Sequence, residues 1–284
     1  MSPSPVSPGT LYVVATPIGN LEDVTRRAAR VFSEVELVVA EDTRHTRKLL
    51  THLGITSASL SSLHAHAPPE RIEKVVQRLL EGAACALVSD AGTPVISDPG
   101  AKLVRLARER GVPVVSVPGA SAVTAAVAVC GLVDGPFCFL GFLPRKGAAR
   151  RRALAAVAAS ARAVVLFEAP TRLAATLAEL AGAQPDRPVA VCRELTKLHE
   201  QTTVGTLCEL SAREHAWRGE ITLVLGPVEP RAQPMAEAEL ERRIDAALDR
   251  GQSVKSAVAE LSEGTTLSRS ELYRRVQSAR ERRR

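Results

Sequence analysis

The run Ser89-Asp-Ala-Gly-Thr-Pro-Val-Ile-Ser-Asp-Pro-Gly100 directly follows four apolar residues, Cys85–Val88. Gly92 permits close backbone approach and Pro94 fixes a turn, while Thr93 offers a hydroxyl and Asp90 and Asp98 offer acceptors. No Lys or Arg falls within the run, so it suits a cationic or hydroxyl-rich ligand better than a phosphate. A second small-residue turn, Thr16-Pro-Ile-Gly-Asn20, ends the apolar run that begins at Leu11, and Glu22 and Asp23 just beyond it also disfavour an anion. Neither G-x-G-x-x-G nor G-x-x-x-x-G-K-[ST] occurs in the chain, which argues against dinucleotide and triphosphate sites.

A third stretch, Glu41-Asp-Thr-Arg-His-Thr-Arg-Lys48, stands at the end of another apolar run and on the turn after it. Asp42 and Arg44 are the candidates for catalysis, Asp42 as a base or as the partner that orients Arg44, and Arg44 as the group that positions a substrate. Arg44, Arg47 and Lys48 also suit the phosphates of a nucleic acid. The competing reading of this stretch is a surface ion-pair cluster. His64 and His66 stand two apart, a spacing metal sites use, but no third ligand lies at motif distance and no metal is expected.

These residues need a scaffold, and the apolar pattern supplies one. Runs of strand length at Leu11–Thr16, Glu36–Ala40, Ala84–Ser89, Val114–Val117, Phe137–Leu143, Ala163–Glu168, Pro188–Glu194, Gln201–Gly205 and Ile221–Leu225 alternate with helical patterns at Glu70–Glu81, Lys102–Arg110, Lys146–Ala159 and Arg172–Leu180. A further helix is expected from about Leu21. The class is α/β, and open α/β sheets bind ligands beyond the carboxyl ends of their strands, where all three stretches would lie. Pro118-Gly119 marks a boundary, and the Pro-punctuated stretch near Gly226–Pro234 marks another. The expected organisation is a flexible leader (1–9), an N-terminal α/β domain (10–118), a C-terminal α/β domain (119–227), a linker (228–235) and a small helical basic module (236–284). In that module Leu240, Ile244, Ala247 and Leu248 mark one amphipathic face and Val254, Ala257, Val258 and Leu261 a second. Ser268-Arg-Ser-Glu271 has capping-box spacing and opens a third helix, giving a helix-turn-helix-like unit; a packing bundle is the alternative.

The chain has 284 residues, enough for about two domains, and 45% of them are hydrophobic. No apolar run approaches the roughly 20 residues of a bilayer span, and the N-terminus lacks the features of a secretion signal, so a cytoplasmic protein with no membrane partner is expected. The five cysteines form no C-x-x-C pair and sit mostly in apolar runs, as reduced core residues do. Net charge is +6, and from Arg269 onward seven arginines face two glutamates, a bias that favours a polyanionic partner. Arg274 and Arg275 are the tail's candidates for RNA contact, joined by Arg145 and Lys146 of the turn Gly141–Gly147. Aromatic residues are only 3% of the chain, which weighs against extensive base stacking.

Six ordered stretches, GTLYVVATPIGNLEDVT, AEDTRHTRKLL, SDAGTPVISDPG, VPGASA, FEAPTR and RELTKLHE, together resemble the bacterial 16S ribosomal RNA cytidine 2′-O-methyltransferases of the tetrapyrrole methylase superfamily. The resemblance spans about Gly9 to Pro227, and the helical tail is similar to that family's C-terminal module. It implies a two-domain tetrapyrrole-methylase-like fold with a cofactor cleft between the domains, S-adenosylmethionine as cofactor, 16S rRNA within the 30S subunit as partner, and a homodimer. Carried over by motif, the cofactor-binding residues are Pro17, Gly92, Thr93, Pro94, Ile96, Ser121, Ala122, Phe167, Glu168, Glu194, Leu195 and Thr222. In tetrapyrrole-acting relatives the cradle resembles G-G-D-P-x-x-F-G-R-G, and the stretch Ala91–Gly100 lacks its Arg, which points away from an acidic macrocycle. Methylation of a ribose hydroxyl is an in-line displacement that depends on alignment and on a base, which the sequence does not identify. The alternatives are a tetrapyrrole or precorrin methylase and a non-catalytic RNA-binding factor.

Overall fold

The protein's structure is a computed structural model that describes residues 5–64, 67–213, 216–228, 237–262, 265 and 267–283. Residues 1–227 form one compact unit and 228–284 a second. Apart from Val228, the expected linker lies outside the described residues.

The first unit contains two five-stranded sheets. Strands β1 (Leu11–Val14), β2 (Leu37–Ala40), β3 (Ser59–Ser62), β4 (Cys85–Val88) and β5 (Val114–Val117) run parallel in the order β3-β2-β4-β1-β5. Four-residue runs such as LVVA and CALV are buried throughout, as parallel strands covered on both faces must be. Alternate residues face opposite layers. Leu11, Val39 and Leu87 pack with Val76 and Leu79 of α3 (Pro69–Leu80) and Leu103 and Ala107 of α4 (Ala101–Glu109). On the other face Val14, Val38 and Ala86 meet Val31 and Phe32 of α1 (Arg26–Glu34) and Leu49 and Leu50 of α2 (Thr43–His52). Because β1 and β4 are central neighbours, the loops leaving their carboxyl ends emerge side by side.

The second sheet has the order β6-β7-β10-β8-β9, built from β6 (Phe137–Phe142), β7 (Ala163–Glu168), β8 (Pro188–Arg193), β9 (Gln201–Thr206) and β10 (Ile221–Leu225). Only β6 and β7 are parallel; the remaining pairs are antiparallel. One face is covered by α6 (Gly147–Ala159), α7 (Pro170–Ala183) and α8 (Leu207–Ser211), with Leu173, Leu177 and Leu210 against Leu166, Val191 and Leu223. The other face packs Val123, Ala126 and Cys130 of α5 (Ala122–Cys130) against Val165, Ala190, Cys192 and Val224, and Ile18 from the loop after β1 joins this cluster. That single isoleucine carries the first sheet's loop into the second sheet's core.

Several local expectations need correction. No α-helix starts at Leu21: Asn20 caps a single 3-10 turn, Leu21–Asp23, the chain extends at Val24, and α1 begins only at Arg26 under a Thr25 cap. The residues after Asp42 form a helix, α2, and not a turn. Strand β3 is absent from the sequence expectation because Ser-Leu-Ser-Ser lacks the β-branched and aromatic residues that mark strands; its place at the sheet edge supplies the pairing that composition does not.

The second unit consists of α9 (Glu237–Asp249), α10 (Val254–Ser262) and α11 (Arg269–Glu281) around Leu240, Ile244, Val258, Leu261, Leu272 and Val276. Ser268 caps α11 by accepting from the Glu271 N–H at 3.2 Å. The Glu271 carboxylate does not complete the box, because it is drawn to Arg274 and Arg275.

Candidate functional site

Three loops at the carboxyl edge of the first sheet are tied into one wall. Thr16 and Gly92 exchange both backbone bonds, Thr16 N to Gly92 O at 2.9 Å and Gly92 N to Thr16 O at 3.0 Å. Thr93 Oγ1 donates to the Ala120 carbonyl at 3.2 Å, bringing in the loop after β5. Gly92 has φ +76°, and a Cβ there would sit 3.2 Å from Ile18 Cγ2, so glycine serves both the left-handed backbone and the tight approach. Farther along, Val95 and Ser97 adopt φ of 76° and 65° without being glycine. Such conformations cost on the order of 1–3 kcal/mol each and concentrate where a chain is shaped for a ligand.

The opposite wall comes from the second sheet. Thr222 of β10 pairs with Phe167 of β7 on one side and Cys192 of β8 on the other. Phe167 packs edge-on against Phe139 with ring centroids 4.9 Å apart. Glu168, only 2% exposed, accepts from Thr176 Oγ1 at 2.7 Å and Ala169 N at 2.8 Å and pairs with Arg172 at 2.5 Å. A buried carboxylate so fully engaged is a girder for the wall. Glu194, at φ 51°, accepts from Glu220 N at 2.8 Å and Lys197 Nζ at 2.9 Å, and the Glu220 N–H above all holds its carboxyl below the ordinary range. The two walls touch directly where Asn20 N donates to Thr196 Oγ1 at 3.1 Å.

Between them lies a cleft of about 400 Å³, within the size range of small-molecule sites. Of the residues expected to bind a cofactor, Gly92, Thr93, Ile96, Ser121, Ala122, Phe167, Glu168, Leu195 and Thr222 line it. Pro17, Pro94 and Glu194 do not: Pro17 precedes the lining Ile18, Pro94 lies within the cradle turn, and Glu194 faces Gly219, Glu220 and Lys197. Sequence reasoning anticipated Asp98 as an acceptor of the cradle but missed Phe142, Cys192 and the pair Gly219-Glu220 as lining residues. Asp98 was visible in the cradle motif; the pair was not, since only the pairing of β10 with β8 brings it beside the cleft. Among the described lining residues there is no Lys or Arg. Burial pushes the Cys192 thiol up to about 11, which keeps it protonated and inert.

A second pocket, of about 430 Å³, is lined by Glu41, Asp42, Thr43, Arg44, Ser62, His64 and Asp90. Asp42 caps α2 and binds Arg44 Nε at 3.0 Å, and that arginine holds its carboxyl well below the usual range. Arg47 and Lys48 are exposed on α2 outside this pocket, and Arg145 and Lys146 are exposed where α6 begins. His66 lies outside the described residues. Among the described residues no cluster of His, Cys, Asp or Glu could hold a metal ion. Arg274 and Arg275 are ion-paired within the second unit, to Glu271 and, for Arg275, to Glu237.

The family model for tetrapyrrole (corrin/porphyrin) methylases matches residues 10–211, both sheets' strands up to β9 included. The chain belongs to the tetrapyrrole methylase family. Relatives of this methylase include the ribosomal RNA small subunit methyltransferase I of Xylella fastidiosa, 44% identical over 94% of this chain and 98% of that one, and that of Pseudomonas aeruginosa, 42% identical over 95% and 98%. Among solved structures, the methyltransferase CobJ superposes with a TM-score of 0.60 at 18% identity, covering 78% of this chain and 95% of that one. The Thermus thermophilus uroporphyrin-III C-methyltransferase, solved with S-adenosylhomocysteine, gives 0.56 at 19% identity over 76% and 97%.

In this methylase two acids, one lining the cleft and one beside it, have their carboxyls pushed above the ordinary range. Burial raises the Asp98 carboxyl, opposed by a hydrogen bond from Ser89 and reinforced by Asp90. Burial also raises Glu41, with the charges of Asp98 and Asp90 adding to it. A folded-state pKa above the unfolded value means that stability falls as pH rises through it. Asp98→Asn is therefore expected to raise the urea midpoint at pH 7, with the gain vanishing as pH falls below the ordinary Asp range; a constant gain at all pH values would contradict this account.

Proposed function

We propose that the chain transfers a methyl group from S-adenosylmethionine to the 2′-oxygen of a cytidine ribose in 16S ribosomal RNA. Near-complete alignment with relatives named ribosomal RNA small subunit methyltransferase I, at 42–44% identity, carries this reading. The cleft's chemistry fits the cofactor. Thr93, Ser121 and Thr222 offer hydroxyls, Ile18, Phe167 and Leu195 offer apolar surface for an adenine, and Asp98 offers a negative charge to a cation. When bound, the cofactor supplies an electrophilic methyl on a positively charged sulfur. Gly92 and Thr93 would hold it from the first wall and Phe167 and Thr222 from the second, so the residues of this chain would contribute chiefly by fixing the line of approach.

The acceptor ribose would enter beside Glu41, Asp42, Arg44 and His64, with Arg44, Arg47 and Lys48 reaching its flanking phosphates and Arg145 and Lys146 a second stretch of backbone. The cradle Ala91–Gly100 lacks the arginine that tetrapyrrole-acting relatives carry there, which disfavours a tetrapyrrole substrate. Labelled S-adenosylmethionine incubated with 30S subunits is expected to mark 16S rRNA, whereas uroporphyrinogen stays unlabelled; the reverse result would reassign the substrate. Absence of heat on calorimetric titration with the cofactor would leave a non-catalytic RNA-binding factor.

The organisation proposed is two α/β domains, 10–118 and 119–227, followed by an RNA-contacting helical module, in a cytoplasmic homodimer. Edge strand β6 exposes Phe137 and Leu140, which suits burial against a second copy. Sedimentation should report a dimer, and Leu140→Lys should shift it toward monomer. Within the helical module Arg280 and Arg282 are exposed. Reversing both to Glu is expected to weaken 30S binding and flatten its salt dependence, by about 0.7–0.9 in logarithmic slope for each phosphate no longer neutralised, while cofactor binding is unchanged.

A further inference from the structure

Transfer to a hydroxyl oxygen needs a proton acceptor beside the cleft, and the three carboxylates of the 430 Å³ pocket are differently engaged. Asp42 accepts from Arg44 N at 2.8 Å and from its Nε at 3.0 Å, which occupies it with a cap and an ion pair. Asp90 accepts from Asp42 N at 2.9 Å and pairs with His45 Nδ1 at 3.1 Å. Glu41 accepts a backbone hydrogen bond from Asp90 and has no cationic partner among the described residues. It follows β2 directly, beside the end of β4 through the Ala40–Val88 pairing, and so stands next to the loop that carries Asp90 and Asp98. Asp98 itself lines the cofactor cleft. Glu41 thus lines the acceptor pocket, close enough to Asp98 of the cleft for that charge to act on it, with lone pairs left to accept.

We propose that Glu41 is the base that takes the proton of the acceptor hydroxyl, an inference that rests on the methyltransferase reading above. As the hydroxyl oxygen forms its bond to the methyl carbon, the carbon–sulfur bond breaks and its electron pair stays on sulfur. The hydroxyl proton passes to a Glu41 carboxylate oxygen. One positive and one negative charge disappear together, so no ion is left behind in the pocket. The charged and titratable groups facing Glu41 are Asp42, Arg44 and His45 from α2, Asp90 and Asp98 from the loop after β4, and His64 from the segment after β3. Burial with Asp98 and Asp90 nearby raises the Glu41 carboxyl, which makes it a stronger base than an exposed glutamate once ionised.

The test uses the full chain and the variants Glu41→Gln, Glu41→Asp and Asp98→Asn. In the cofactor-free protein, carboxyl-carbon NMR titration should show one glutamate, missing from Glu41→Gln, that titrates above the ordinary range and moves down in Asp98→Asn. Calorimetry should give unchanged S-adenosylmethionine binding in Glu41→Gln, which reports an intact cleft. Single-turnover methylation of 30S subunits should fall by about 10²- to 10⁴-fold in Glu41→Gln, with partial recovery in Glu41→Asp. The wild-type acid limb, where rate drops as pH falls through the Glu41 pKa, should be absent from Glu41→Gln and displaced to lower pH in Asp98→Asn. A Glu41→Gln rate within about threefold of wild type, or an acid limb that stays in place, overturns the proposal while leaving the methyltransferase reading intact. A wild type that binds S-adenosylmethionine but methylates no ribosomal RNA removes that reading and this proposal with it.

Discussion

Two backbone hydrogen bonds between Thr16 and Gly92 hold the loops after β1 and β4 together, and the cleft is built outward from them. Both strands are short and largely buried, so their positions are fixed by the sheet; the loops inherit that rigidity through this pair and through the Thr16 hydroxyl, which donates to the Ser89 carbonyl at 3.3 Å. With it in place, Ile18 reaches the second sheet's core, Thr93 reaches Ala120, and Asn20 reaches Thr196. One ladder rung set outside the regular sheet therefore organises contacts from four separate stretches of chain. A binding site made of small residues needs such a fastening, because Gly, Ala and Ser contribute little packing of their own.

The two walls are stiffened by different means. On the first, strained backbone at Val95 and Ser97 is held by the surrounding loop contacts. On the second, the polar chain Arg172–Glu168–Thr176–Arg150 runs from the cleft into the layer between β7 and α7, and Arg150 ends on Glu179 at 2.9 Å. Burying these charges is tolerable because each has a partner, although Arg172 Nε is left without a hydrogen bond.

Most of the scaffold was legible in the chain. Apolar runs announced nine of the ten strands, because burial on one or both faces leaves a compositional trace; β3 lacked it, being half-polar at an edge. The cradle residues were readable because Gly92, Thr93 and Pro94 combine close backbone approach, a hydroxyl and a fixed turn directly after a buried strand, and because five other ordered motifs accompany them. What could not be read was partnership. Asp42 and Arg44 were the catalytic candidates in the sequence and Glu41 was not, and only coordinates show that those two are engaged with each other while Glu41 has no cationic partner among the described residues. Likewise Arg274 and Arg275 stood out as surplus charge until Glu237 and Glu271 proved to be their neighbours, 38 residues and a few residues away. Local pattern reports burial well, whereas charge pairing across distant segments leaves no periodic mark.

Gly92, Gly141 and Gly219 share a property that bears on how such a cleft diversifies. An added first carbon would fall 3.2 Å from Ile18, 2.6 Å from Ser97 Oγ and 2.4 Å from the Glu194 carboxyl group, respectively. Each glycine also has a left-handed φ, so even alanine meets an unfavourable backbone as well as a neighbour. A single substitution at any of them therefore meets backbone strain and a close neighbour together, so a new ligand preference is expected elsewhere along the walls or through paired replacements that move both partners at once.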